Sequence, residues 1–152
     1  MSSSITIRKA HREDIETIVE FQQKMAWETE QLELDSATLH EGVKRLFIEP
    51  QRGNYWVAEV DGEIAASTLV LYEWSDWRNG DVMWVHSVYV LAEHRKKGIF
   101  KRMFTHLKDI VEDSSNYKGI RLYVEKTNTN AQGVYKAIGM SNEHYDLYEW
   151  LK

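Results

Sequence analysis

Residues 84–111 read Trp84-Val-His-Ser-Val-Tyr-Val90, then Leu91-Ala-Glu-His-Arg-Lys-Lys-Gly98, then Ile99-Phe-Lys-Arg-Met-Phe-Thr-His-Leu-Lys-Asp-Ile-Val111. The first piece is rich in β-branched and aromatic residues and predicts the end of a strand running from Val82 to Val90. The last sets Ile99, Met103, Leu107, Ile110 and Val111 on the inner face of a helix opened by Gly98. Between them, residues 93–102 hold five Lys or Arg and one acidic residue, in a chain whose formal net charge is −5. A helix N-terminus presents unpaired backbone N–H groups and the positive end of its dipole, and a glycine there lets an anion come close to the backbone. The chemistry implied is a pyrophosphate cradle with a basic rim. A solvated basic turn before a surface helix is the alternative.

Working outward toward the N-terminus, Ile5-Thr6-Ile7 predicts a first strand. Ile15, Ile18, Val19 and Met25 fall at helical spacing, with Glu13 and Asp14 placed to favour that helix's N-terminus. Asp35-Ser36 caps a second helix facing inward through Leu39, Val43, Leu46 and Phe47. Tyr55 to Val60 and Ile64 to Tyr72 form a hairpin about Asp61-Gly62, and a polar loop follows from Glu73 to Asp81. Toward the C-terminus come a strand over Gly119 to Glu125, a helix over Ala131 to Ile138 stopped by Gly139, and a last strand over Tyr145 to Leu151. This order predicts a mixed α/β (α+β) fold, a central twisted mixed sheet flanked by helices. With no repeat, low-complexity tract or linker, residues 1–152 read as a single domain.

Arg95-Lys96-Lys97-Gly98-Ile99-Phe100 resembles the Gln/Arg-x-x-Gly-x-Gly/Ala signature of the GNAT superfamily of acetyltransferases, with Phe100 standing where Gly or Ala is usual. A second block, Leu122 to Met140, is similar to the family's closing motif through Asn128, Ala131, Tyr135 and Gly139. The resemblance implies the acyl-CoA N-acyltransferase fold and acetyl-CoA as cofactor. It implies that backbone groups of Val88, Tyr89 and Val90 align the acetyl-pantetheine arm. It also implies that Arg95, Lys96, Lys97, Gly98, Ile99, Phe100 and Lys101 hold the pyrophosphate, the Phe100 ring turning away from it. Asn128 bonds the pantetheine or caps its helix. By the same resemblance Tyr135 is expected to protonate the departing thiolate, the alternative being that it packs under the next strand; the pKa values of thiol and phenol, about 8.5 and about 10, are close enough for that transfer. The resemblance further implies that the backbone N–H of Val88 faces the developing oxyanion.

An alkyl ammonium has a pKa of about 10.4 and must lose a proton before it attacks. His86, on the strand and expected on the same face as Val88, is the leading general base; a structural histidine is the alternative, and Glu73 and Glu125 are fallback bases. Glu28, Glu30 and Glu33, with Glu73 and Asp76, supply carboxylates interleaved with Trp27, Trp74 and Trp77, a pattern suited to a cationic acceptor; a solvated acidic face with Trp in the core is the alternative. The stretch Leu71 to Val90 resembles the spermidine/spermine acetyltransferase branch. The expected activity is transfer of acetyl from acetyl-CoA to a small-molecule primary amine by direct attack in a ternary complex. A non-catalytic acyl-CoA sensor and a protein N-terminal or lysine acetyltransferase are the other readings.

The chain has no cysteine, which excludes disulfides, thiolate metal sites and a Cys nucleophile. Its histidines are scattered without metal-ligand spacing, so no metal is expected. The acidic balance argues against nucleic acid. No signal peptide or apolar run of about 20 residues appears, so a soluble cytoplasmic protein with no membrane partner is expected. The Tyr and Trp of the segment Tyr145 to Trp150 suit a homodimer contact.

Overall fold

The computed structural model describes residues 3–152. It consists of strand β1 (Ile5–Lys9), helices α1 (Ile15–Glu30) and α2 (Ser36–Ile48), strands β2 (Gly53–Val60), β3 (Glu63–Ser75) and β4 (Gly80–Val90), helix α3 (Ile99–Asp113), strand β5 (Tyr117–Leu122) and helix α4 (Thr129–Ala137). Two compact units result, one ending at Arg121 and the other spanning Leu122–Lys152.

The sheet has the order β1-β2-β3-β4-β5. Strands β1 to β4 pair antiparallel in succession. Asp61 and Gly62 take φ of 52° and 86°, the left-handed pair that a two-residue hairpin turn requires. The β3–β4 hairpin is longer than its composition suggests: Glu73 pairs with Val82 and Trp74 with Asp81, so the polar connection shrinks to Asp76–Asn79. Strand β5 joins β4 in parallel. The N–H of Asp81 donates to the carbonyl of Asn116 over 3.0 Å, which ties the start of one strand to the start of the other. Gly80 allows this approach, because a Cβ there would lie 2.3 Å from the Asn116 oxygen.

Alternation along β2 fixes which helix lies on which face. Tyr55 stacks on Phe47 of α2 and belongs to a cluster with Ile18, Val19, Val43 and Leu46. Its neighbour Trp56 points the other way, edge-on to His106 of α3. Helix α3 buries Ile99, Met103, Phe104 and Leu107. Asp35 caps α2 as expected, its carboxylate accepting from the Thr38 N–H. Asp14 does something different from the expected dipole role. It is buried and accepts two hydrogen bonds from the Arg8 guanidinium, which also pairs with Glu59. Among the described residues no helix is long and apolar enough to cross a membrane.

In the second unit, Asn128 caps α4 through a bond from the Ala131 N–H, and Gly139 at φ 96° follows its C-terminal end, as the sequence predicts. The predicted strand over Tyr145 to Leu151 does not form; the backbone from Ser141 onward is irregular. Alternating apolar residues supply the faces of a strand, but the ladder needs a partner backbone as well.

Candidate acyl-transfer site

Strand β4 has 11 residues and β5 has 6. Since they start together in parallel, the C-terminal end of β4 runs on beyond β5 and leaves backbone groups of that end without a β5 ladder. Just before this overhang the β3–β4 register breaks. His86 pairs with Leu69 and Tyr89 with Ser67, so Ser87 and Val88 both face Thr68. Ser87 sits at φ 52°, left-handed, where a non-glycine residue is uncommon. This is a β-bulge, the device that re-aims a strand. The fully buried Thr68 holds it, its hydroxyl donating to the His86 carbonyl over 2.8 Å. The neighbouring Ser67 hydroxyl is also fully buried and has no hydrogen-bond partner among the described residues.

The bulge corrects one expectation. His86 shares its sheet face with Tyr89, on the side of α1 and α2, and not with Val88, because the extra residue reverses the alternation between them. His86 is half-buried, its ring stacked on Trp84 at 6.1 Å. Burial disfavours the imidazolium and pushes its pKa below the ordinary value.

Past Val90 the chain turns into the basic loop. Lys96 and Gly98 both take left-handed φ, 63° and 75°, and Gly98 is the residue before α3. No side chain caps this helix, and a Cβ added at Gly98 would meet nothing within 4 Å. The N–H groups of Ile99, Phe100 and Lys101 lie in the first turn, where helices have no internal acceptors. Lys96, Lys97 and Lys101 are exposed beside them. The Phe100 ring leans on Phe104, 6.4 Å away along the helix. A loop of positive charge with open space over a glycine fits the phosphates of a nucleotide cofactor, and the overhanging β4 backbone fits an extended arm with amide groups.

The sequence of the acetyltransferase (GNAT) family matches residues 12–140. The chain belongs to this family. A possible acetyltransferase from Clostridium difficile 630 is 43% identical, with a TM-score of 0.90 over 97% of each chain. Glucosamine-6-phosphate N-acetyltransferase from Arabidopsis thaliana shares the fold at 20% identity and a TM-score of 0.74, over 98% of this chain and 99% of its own. A predicted acetyltransferase from Clostridium acetobutylicum, solved with acetyl-CoA, does so at 22% identity and a TM-score of 0.73, over 98% and 95%. No curated protein sequence matches. As a GNAT protein the chain is an acetyl-CoA-dependent N-acetyltransferase by class.

Within this GNAT fold the predicted acceptor residues separate. Glu28 is near the end of α1 and bonds Arg95, close to the end of β4. Trp77 is 89% exposed at the tip of the hairpin that begins β4. Strand β4 lies between them, and at about 3.3 Å per residue its ends are roughly 30 Å apart. Glu73 is also at the far end and pairs with Arg121 of β5 at 2.9 Å. The four residues Glu28, Glu30, Glu73 and Trp77 therefore do not form one cleft. Trp27, Trp74 and Trp77 are exposed and not in the core. Glu125 is no ready base: hydrogen bonds from the Thr127 hydroxyl and backbone hold its carboxyl below the usual range.

In the second unit Tyr135 is half-buried and lines a small cavity of about 80 Å³ with Leu122, Val124 and Met140. Burial pushes its phenol above the ordinary tyrosine value. Asn128 is committed to its cap through its side-chain oxygen. The bulge at Ser87 and its Thr68 brace are site features that the sequence did not signal. Neither is glycine, and nothing in the alternation marks the extra residue.

Proposed function

We propose that this enzyme transfers the acetyl group of acetyl-CoA to a primary amine of a small cationic molecule of the diamine or polyamine class, by direct attack in a ternary complex. The observation carrying the reading is the overhanging end of β4 with its bulge, followed at once by the Gly98 loop. The pantetheine arm would lie along Val88 to Val90. The N–H groups of Gly98 to Lys101, with Lys96, Lys97 and Lys101, would hold the pyrophosphate. The left-handed Ser87 would turn the Val88 N–H toward the acetyl oxygen, where negative charge develops during attack.

His86 takes the proton of the incoming ammonium, directly or through a water. Its lowered pKa keeps it neutral at pH 7 and able to accept. Tyr135 keeps its proton at neutral pH because burial raises its pKa, and it delivers that proton to the thiolate leaving group. Residues 1–152 act in this reading as one catalytic domain. On the acceptor side, Glu30 and Glu33 at the α1–α2 connection and the exposed Trp27 suit a cation through charge and ring faces. The likeness of Leu71 to Val90 to the spermidine/spermine branch supports polyamines among the amines.

The test is release of free CoA thiol from acetyl-CoA across polyamines, diamines, amino acids, aminoglycosides and peptides. A chain without cysteine contributes no thiol of its own. Turnover with diamines and polyamines above all other classes is expected. Turnover confined to peptides would move the acceptor to a protein, and silence of every polyamine and diamine would reject the class proposed.

A further inference from the structure

The Arg95 side chain is engaged on three sides by the protein. Its Nε donates to the Val90 carbonyl over 2.8 Å. A terminal nitrogen donates to the Glu28 carboxylate over 2.9 Å. Its guanidinium lies over the Tyr89 ring, 5.4 Å from the centroid. Tyr89 is only 5% exposed and packs on Phe21 of α1 at 5.3 Å. Glu28 thus holds the guanidinium that covers the Tyr89 ring. One cluster binds the last turn of α1, the overhanging end of β4 and the beginning of the basic loop.

We infer that Arg95 is a positioning residue, with Glu28 as its obligate partner, and that its side chain is not a phosphate ligand. The inference rests on the reading that acetyl-CoA binds the Gly98 loop. To reach a phosphate, the guanidinium would leave two charge-assisted or polar contacts and a ring face together. Lys96, Lys97 and Lys101 are exposed and form no ion pair among the described residues, so positive charge is supplied without it. The forked geometry also explains the residue type. Arginine can hold a carbonyl, a carboxylate and a ring face at once, whereas lysine is a point charge.

The two roles predict opposite signs. Glu28 is a negative charge beside a site for a polyanion. If Arg95 bound phosphate, Glu28→Ala would remove repulsion, free the guanidinium and tighten CoA binding. If Arg95 positions the loop, the same change weakens binding despite the gain in positive potential. Calorimetric titration with CoA on the full chain reads the difference, with a thermal melt of each variant alongside. Wild type is expected to bind. Glu28→Ala and Arg95→Lys are each expected to bind about fivefold or more weakly, and Glu28→Ala with Arg95→Lys no worse than the poorer single variant. Equal or tighter binding by Glu28→Ala, full binding by Arg95→Lys, or losses that multiply would overturn the inference. No binding by wild type would instead remove the acetyl-CoA reading beneath it, and the inference with it.

Discussion

At the scale of single residues, His86 and Tyr135 have pKa values moved in opposite directions by the same cause. Burial lowers the imidazole and raises the phenol, so both are neutral at pH 7. As the proposed general base, His86 is active in its neutral form. Activity therefore rises with pH through the His86 pKa, and the acid limb of kcat/KM falls below the ordinary histidine value of about 6.5. His86→Ala is expected to remove that limb and slow turnover by about 10²-fold. An unchanged pH profile would take His86 out of the chemistry. Tyr135→Phe is expected to lower kcat, by about 10-fold to 10²-fold, with KM for acetyl-CoA little changed. Both could be singled out from the sequence as candidates because proton transfer admits few side chains. Ser87 and Thr68 were not legible. A bulge is a property of two paired strands, and neither residue differs in type from an ordinary strand residue.

At the scale of elements, the joint between β4 and β5 depends on a missing side chain. Gly80→Ala would place a Cβ 2.3 Å from the Asn116 carbonyl and force the two strand starts apart. The expected loss is on the order of 2 kcal/mol, read from denaturant unfolding. The ion cluster at β1 and α1 gives a second test. Burial works against the Asp14 carboxylate, yet bonds from Arg8 and from the His11 backbone outweigh it and hold its pKa below the ordinary value. Such a depressed carboxylate adds stability above its unfolded pKa, about 3.9, and that stability is lost as pH falls through the folded pKa. Arg8→Met removes the partner and is expected to cost about 2 kcal/mol at pH 7, with a smaller difference from wild type in acid. The helices, the capping Asp35 and the Asp-Gly hairpin were readable because each follows from local spacing or backbone demand. The β3–β4 hairpin was read short because cross-strand pairing, which composition does not show, carries Glu73 to Ser75 into the strand.

At the scale of the whole molecule, the order of elements along the chain placed it among mixed α/β folds, and the loop at Gly98 together with the block from Leu122 to Met140 carried the family resemblance. The five-stranded sheet and the family agree with that fold and that resemblance. Two long-range features escaped. Alternation over Tyr145 to Leu151 predicted a strand where the backbone forms none. Acidic and aromatic residues expected at one acceptor cleft lie at opposite ends of β4, since sequence proximity says nothing about the ends of an 11-residue strand. The overhanging end of β4 and the Gly98 loop are proposed to form the acetyl-CoA site together. Gly98 is left-handed, so a β-branched residue there strains the loop and crowds the phosphate approach. The most direct measurement is titration of acetyl-CoA into wild type and Gly98→Val at matched thermal stability. Saturable binding by wild type and a loss of about tenfold or more in the variant are expected; equal binding by both, or none by wild type, would rule out this site.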